Sequence, residues 1–182
     1  MLEEQQLMTA IKNGEVRLVG ILFERYHLAI FNFFIRLGVS RNEAEDFVQE
    51  TFIRIIKYRY SYDDKGAFSS WCYQIARNIA FDHFKNPLNK IAFCEFDEDT
   101  AVDTNTKDTD LYEEQHTRLL LALSKLPFEQ REIIVLSRYQ QMPYKEIATL
   151  LDCNMNTLKT RIRAALIALK KQFDQLSTDH HE

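Results

Sequence analysis

Only four glycines and three prolines interrupt the 182 residues of this chain. With so few breakers, and with Leu, Ile, Ala, Glu and Lys abundant, long stretches have nothing to turn them and every reason to stay helical. The expected fold class is all-α. Hydrophobic residues make up 46% and charged residues 27%, enough to build cores and too apolar for a disordered polymer. The length suits one domain or two small ones.

Charge is unevenly spread, and that organises the chain. The net value is −4, yet residues 94–117 hold nine acids (Glu95, Asp97, Glu98, Asp99, Asp103, Asp108, Asp110, Glu113, Glu114) against Lys107 alone. Residues 155–173 hold Lys159, Arg161, Arg163, Lys170 and Lys171 with no acid at all. The acidic stretch has no sustained apolar period and many Asp and Thr, so it is expected to be a flexible linker. Two small helical domains are therefore expected, an N-terminal bundle over 1–93 and a C-terminal domain over 118–182, joined by 94–117.

Within the first domain, residues 15–37 suggest one or two packed helices ended by Gly38. Ser40 and Glu43 form a capping-box pattern that starts the next helix, which runs to about Tyr58. There Ala44, Phe47, Val48, Thr51, Phe52 and Ile55 fall on one face. Asp46, Gln49, Glu50 and Ile53 line the opposite face with no obvious partner inside the chain. "RYSYDDKGAFSS", 59–70, breaks the period and is expected to be a loop. A helix follows from about Phe68 to about Phe84, with Trp71 in the core, and Pro87 stops it. In the second domain "TRLLLALSKLP" and "FEQREIIVLSRYQQ" give two helices. "MPYKEIATLLD", "CN" and "MNTLKTRIRAALIALKKQF" then give a short helix, a tight break and a basic helix, the spacing of a helix-turn-helix. Ile147, Ala148 and Leu151 are placed to pack on Leu158, Ile162 and Leu166.

Two surfaces carry chemistry suited to nucleic acid. Asn156, Thr157, Lys159, Thr160, Arg161 and Arg163 are left on the outside of the basic helix, where cations suit phosphates and Asn and Thr suit base edges in a major groove. Arg59, Tyr60, Tyr62, Lys65, Tyr73, Gln74, Arg77, Asn78 and Lys85 interleave rings, cations and amides, the combination that single-stranded DNA demands. No Ser-His-Asp set, phosphate-binding glycine loop or HExxH motif is present, so an enzyme is not expected. Cys72, Cys94 and Cys153 are odd in number and form no CxxC. They are expected to be reduced thiols, with no metal and no cofactor. No apolar run approaches the roughly 20 residues of a membrane span. "MLEEQQLMTAIKNGE" lacks the basic start of a signal peptide, so a cytoplasmic protein without membrane insertion is expected.

Taken together, "LFERYHLAIFNFFIRLGVSRNEAEDFVQETFIRI", "GAFSSWCYQIARNIAFDHFK" and "LSKLPFEQREIIVLSRYQQMPYKEIATLLDCNMNTLKTRIRAAL" resemble the bacterial sigma factors of the extracytoplasmic-function group, over nearly all of 18–173. The resemblance implies promoter-specific initiation of transcription by a partner of core RNA polymerase. It implies that Asp46, Gln49, Glu50 and Ile53 dock on the coiled coil of the β′ subunit, with the β subunit also engaged. It implies that loop 59–70 and the helix after it, including Phe68 as a stacking partner, open the −10 element. The basic helix would contact the −35 element, the acidic linker would thread the polymerase cleft, and an anti-sigma factor would be a further partner. One departure stands out. Ala164 occupies a position where relatives often carry a phosphate-binding arginine, and Arg163 lies one residue earlier, about 100° away around a helix. An operator-binding regulator acting without polymerase and a helical interaction adaptor are the alternatives, and only a sigma factor would confer initiation on core polymerase.

Overall fold

The computed structural model of the protein describes residues 3–64, 66–85 and 109–178. All regular structure among them is helical, in the order α1 (Glu4–Lys12), a short 3-10 turn (Val16–Leu18), α2 (Val19–Arg36), α3 (Arg41–Lys57), a second 3-10 turn (Arg59–Ser61), α4 (Phe68–Lys85), α5 (Thr109–Ser124), α6 (Phe128–Ile134) continued by a π-helical turn (Val135–Tyr139), α7 (Tyr144–Leu150) and α8 (Met155–Thr178). The chain divides into two compact units, Met1–Ile35 with Arg41–Ile91, and Ala92–Glu182 with Arg36–Ser40.

In the first unit α2 supplies the central apolar strip. Leu22, Ile30, Phe33 and Phe34 are fully buried. By length and composition the segment Val16–Arg36 could cross a membrane, contrary to the expectation that no apolar run is that long. Its long apolar run lends these four side chains to the core, while Glu24, Arg25 and Leu28 lie at the surface. Gly38, at φ +88°, ends the helix in the left-handed conformation that a side chain would strain. Helix α3 presents Ala44, Val48, Thr51, Phe52 and Ile55 inward, the face that its periodicity predicts. Thr51 is wholly buried, and its hydroxyl donates to the Phe47 carbonyl at 2.7 Å, so no polar group is stranded. α4 answers with Phe68, Cys72, Ile75, Ala76 and Ile79. Edge-on ring contacts join the three helices: Phe34 to Phe47, Phe33 to Tyr73 and Tyr26 to Phe68. Cys72 is fully buried, which pushes its thiol well above the usual range and keeps it protonated and unreactive.

In the second unit α8 packs against α5, α6 and α7. Leu120, Leu123, Ile133, Ile134, Ile147, Leu158, Ile162 and Ala165 form its core. Helix α5 begins at Thr109, so the last part of the segment expected to be linker is helical. Within α5, Arg118 lies 3.4 Å from Glu114 Oε1, one turn earlier on the same helix. The rest of the expected linker, 94–108, lies outside the described residues. Arg131 is buried and donates to the Ser124 and Leu126 carbonyls at 2.9 and 2.8 Å, tying down the last residue of α5 and the turn that follows it. Burial lowers its pKa to about 10, which leaves it charged at neutral pH.

Candidate functional site

On α3 the outward stripe is only partly as expected. Asp46 and Gln49 are exposed, Ile53 is 56% exposed, and neither polar side chain has a hydrogen-bond or ionic partner among the described residues. Glu50 differs. Arg54 Nε lies 2.7 Å from its Oε1, so one of the acids expected to lack an internal partner has one. The reason is helical: position 54 is one turn beyond position 50. The stripe thus offers one uncompensated carboxylate, an amide and an apolar side chain beside a half-exposed ion pair.

The loop that follows corrects the larger part of the expected stacking set. Tyr62 is only 3% exposed, packs on Phe68 and Trp71, and donates its hydroxyl to the Gly66 carbonyl at 2.8 Å. Burial raises its pKa. Phe68 and Tyr73 are also buried, the latter against Phe33. Rings already covered on both faces cannot stack on a base. These three are walls of the core, because a small helical unit needs large side chains to close its end. Trp71, expected in the core, is only half-buried. Tyr60 alone of the expected tyrosines stands out, 68% exposed, with the Arg59 guanidinium 4.3 Å from its ring centroid and donating to its hydroxyl at 2.8 Å. Arg59 also donates to the Ile56 carbonyl, so it holds Tyr60 against the end of α3. Lys65 lies outside the described residues.

Along α4, Gln74, Asn78 and Lys85 are exposed and Arg77 is half-buried. Between them sits Phe81, 39% exposed, with the Arg77 guanidinium 5.7 Å from its ring. Phe81 lies outside the set of residues expected at this surface. Its signal was available: it lies four residues after Arg77 and four before Lys85, on the polar stripe and off the apolar one.

In the second unit the helix-turn-helix is formed by α7 and α8. The turn uses Asp152 at φ +47°, a conformation that Asp tolerates. Asn154, also unremarked in the sequence, caps α8, its side-chain oxygen accepting from the Thr157 N–H at 2.8 Å. Ile147, Ala148, Leu158 and Ile162 are buried, and Leu151 and Leu166 half-buried, as the spacing predicts. Asn156, Lys159, Thr160, Arg161 and Arg163 are exposed and Thr157 is partly covered. At about 100° per residue, Lys159 and Arg163 share one flank of the outward arc, Arg161 and Thr157 the other, and Asn156 and Thr160 lie between. None of the three cations has an acidic partner among the described residues. Cations on both flanks with short hydrogen-bonding side chains at the centre match a groove with phosphate walls and a base floor.

Comparison with known proteins meets this geometry at both ends. Residues 22–86 match the family described as sigma-70 region 2, and residues 116–169 match sigma-70 region 4. The chain belongs to the sigma-70 family. A relative from Haemophilus influenzae, an ECF RNA polymerase sigma-E factor, is 28% identical across 96% of this chain and 97% of its own. Among solved structures, CnrH in complex with the cytosolic domain of CnrY covers 94% of this chain and 97% of that one at 22% identity, with a TM-score of 0.72. The sigma factor RpoE in complex with the anti-sigma factor NepR, from Bartonella quintana, covers 85% and 96% at 22% identity and 0.66. Both share the fold. This sigma factor binds core RNA polymerase and directs promoter-specific initiation of transcription. The α3 stripe, the loop and α4 all fall in the region 2 match, and the helix-turn-helix falls in the region 4 match.

Proposed function

We propose that the two regions divide promoter recognition by the state of the DNA. Residues 118–182 hold the −35 element as duplex, while residues 1–93 dock on core polymerase and engage the −10 element as a single strand. The observation that carries this is the outward arc of α8, where unpaired Lys159, Arg161 and Arg163 flank Asn156 and Thr160. Phosphates meet the flanks and base edges meet the centre. Docking falls to Asp46, Gln49 and Ile53, with Glu50 shared between Arg54 and a basic partner such as the β′ coiled coil. At the −10 element Tyr60 supplies the accessible ring, and Gln74, Arg77, Asn78, Phe81 and Lys85 form a stripe along α4 for the displaced strand, since exposed rings between cations suit unstacked bases. Tyr62, Phe68 and Tyr73 support this surface from beneath, and Lys65 remains a candidate on the same loop.

The acidic residues of 94–108 thread the basic channel of the polymerase, where a negative chain mimics nucleic acid and gives way to RNA. The protein supplies an address and catalyses no reaction itself, and it acts in the cytoplasm. A protein inhibitor is a further partner, consistent with the complex of RpoE with its anti-sigma factor. The test begins with mapping transcription start sites after overexpression, then transcribes the promoters so found with core polymerase with and without this chain. Specific transcripts that require the chain, and that Lys159→Ala with Arg163→Ala abolishes, support the reading. Transcripts that persist in that variant refute the role of α8.

A further inference from the structure

We infer that α1 is a working part of the −10 site and that Lys12 is the positioning residue for its loop. The inference rests on the reading of loop 59–66 proposed above. Helix α1 lies outside both family matches, yet it is firmly docked. Leu7, Met8 and Ile11 are fully buried, and Tyr26 donates its hydroxyl to Glu4 at 2.6 Å. Its last residue is Lys12. That ammonium donates to the Tyr62 carbonyl at 2.6 Å and to Asp64 Oδ1 at 2.9 Å, and lies 5.3 Å from the centroid of the Tyr62 ring. The Lys12 side chain is only 19% exposed. One cation with three donors therefore fixes two points of the loop, fifty positions away in sequence.

The other ties described for the loop come from within it and from α4, where Phe68 and Trp71 pack on the Tyr62 ring. Between the 3-10 turn and α4, the Gly66 N–H donates to the Asp63 carbonyl at 2.9 Å, and the Tyr62 hydroxyl donates to the Gly66 carbonyl. Lys12 fastens the half that adjoins Tyr60, the exposed ring. A loop that captures an unstacked base binds more tightly when it is ordered beforehand, because the ordering is not then charged against binding. Lys12 acts through the backbone at 62–64 and contacts no DNA itself.

The test uses the full chain reconstituted with core polymerase on a promoter found by start-site mapping, offered as duplex and as a template premelted over the −10 element. Lys12→Met should lower open-complex formation about tenfold on both templates, the scale of losing charge-assisted hydrogen bonds. Affinity for −35 duplex and for core polymerase should be unchanged, and the melting temperature should fall by less than about 8 °C. Lys12→Arg should restore most of the loss. Asp64→Asn, on a side chain that is 55% exposed, should give a smaller loss in the same direction, and it decides the matter if Lys12→Met fails to fold. Tyr60→Ala separates the two levels. If Tyr60→Ala is impaired while Lys12→Met and Asp64→Asn behave as wild type, the positioning role is wrong and the loop reading stands. If Tyr60→Ala also behaves as wild type, the loop reading falls and this inference falls with it. Loss of every activity in step with the melting temperature, without rescue by arginine, would reduce Lys12 to a structural tie and overturn the inference.

Discussion

Consider Tyr62→Ala beside Tyr60→Ala, two truncations on the same turn of chain. Tyr60 is 68% exposed and its ring meets mainly Arg59. Tyr62 is 3% exposed, lies 5.3 Å from Trp71 and 6.3 Å from Phe68 between ring centroids, and bonds the Gly66 carbonyl. Removing a buried aromatic side chain costs about 3–5 kcal/mol, through lost transfer energy and the cavity left behind. For a domain of this size each kcal/mol lowers the melting temperature by about 4–8 °C, so Tyr62→Ala should melt at least about 12 °C below wild type. Tyr62→Phe keeps the ring and loses one hydrogen bond, worth about 0.5–1.5 kcal/mol. Tyr60→Ala should shift stability by no more than about 0.5 kcal/mol, yet reduce open-complex formation on premelted DNA, where base stacking contributes about 1–3 kcal/mol. Thermal unfolding by circular dichroism, run beside an open-complex assay, reads both quantities. A Tyr62→Ala protein that melts like wild type but fails on premelted DNA would refute the assignment of Tyr62 to the core.

Other expectations follow from the same surfaces. Asp46→Lys should weaken binding to core polymerase by about 2–4 kcal/mol, because an exposed attraction at an effective dielectric near 20 becomes a repulsion; melting should stay unchanged, and native gel shifts at two salt concentrations would measure the loss. Arg163→Ala should reduce the salt slope of −35 duplex binding by about 0.9, whereas Asn156→Ala should leave the slope alone and relax base preference by about 1–3 kcal/mol, as binding isotherms on a panel of sequences would reveal. Neutralising Asp97, Glu98, Asp99 and Asp103 to Asn or Gln should preserve promoter binding and change the yield and salt dependence of short abortive RNAs. Identical abortive profiles for wild type and variant would make the acidic run a tether only.

Helical existence was legible wherever a period ran long enough to be tested. The inward faces of α3 and α8 follow from their spacing, and Gly38 and Pro127 stand at the helix ends they punctuate. Loop 59–66 has no period, so nothing local separates Tyr60 from Tyr62; the difference is made by Phe68, Trp71 and Lys12, which reach the loop from elsewhere in the chain. The start of α5 was missed for another reason. Asp and Thr are poor helix formers in a helix interior, but in a first turn the same acids favour the helix. Glu50 and Arg54 were an overlooked pair at one-turn spacing, and Phe81 an overlooked ring on a polar stripe. The bond from Lys12 to the Tyr62 carbonyl had no signature at all, because any exposed-looking lysine at the end of a helix would read the same way.

The separation of arcs on α8 has a consequence for how such a protein diversifies. Leu158, Ile162 and Ala165 hold the helix in place from one side, while Asn156 and Thr160 lie wholly on the other. Substitutions at exposed positions of this kind usually change stability by less than about 0.5 kcal/mol, whereas one base contact discriminates by about 1–3 kcal/mol. Promoter preference can therefore drift, residue by residue, without passing through poorly folded intermediates. After duplication, two copies of this gene could acquire separate regulons by changes at two or three surface positions, each copy keeping the same scaffold and the same polymerase.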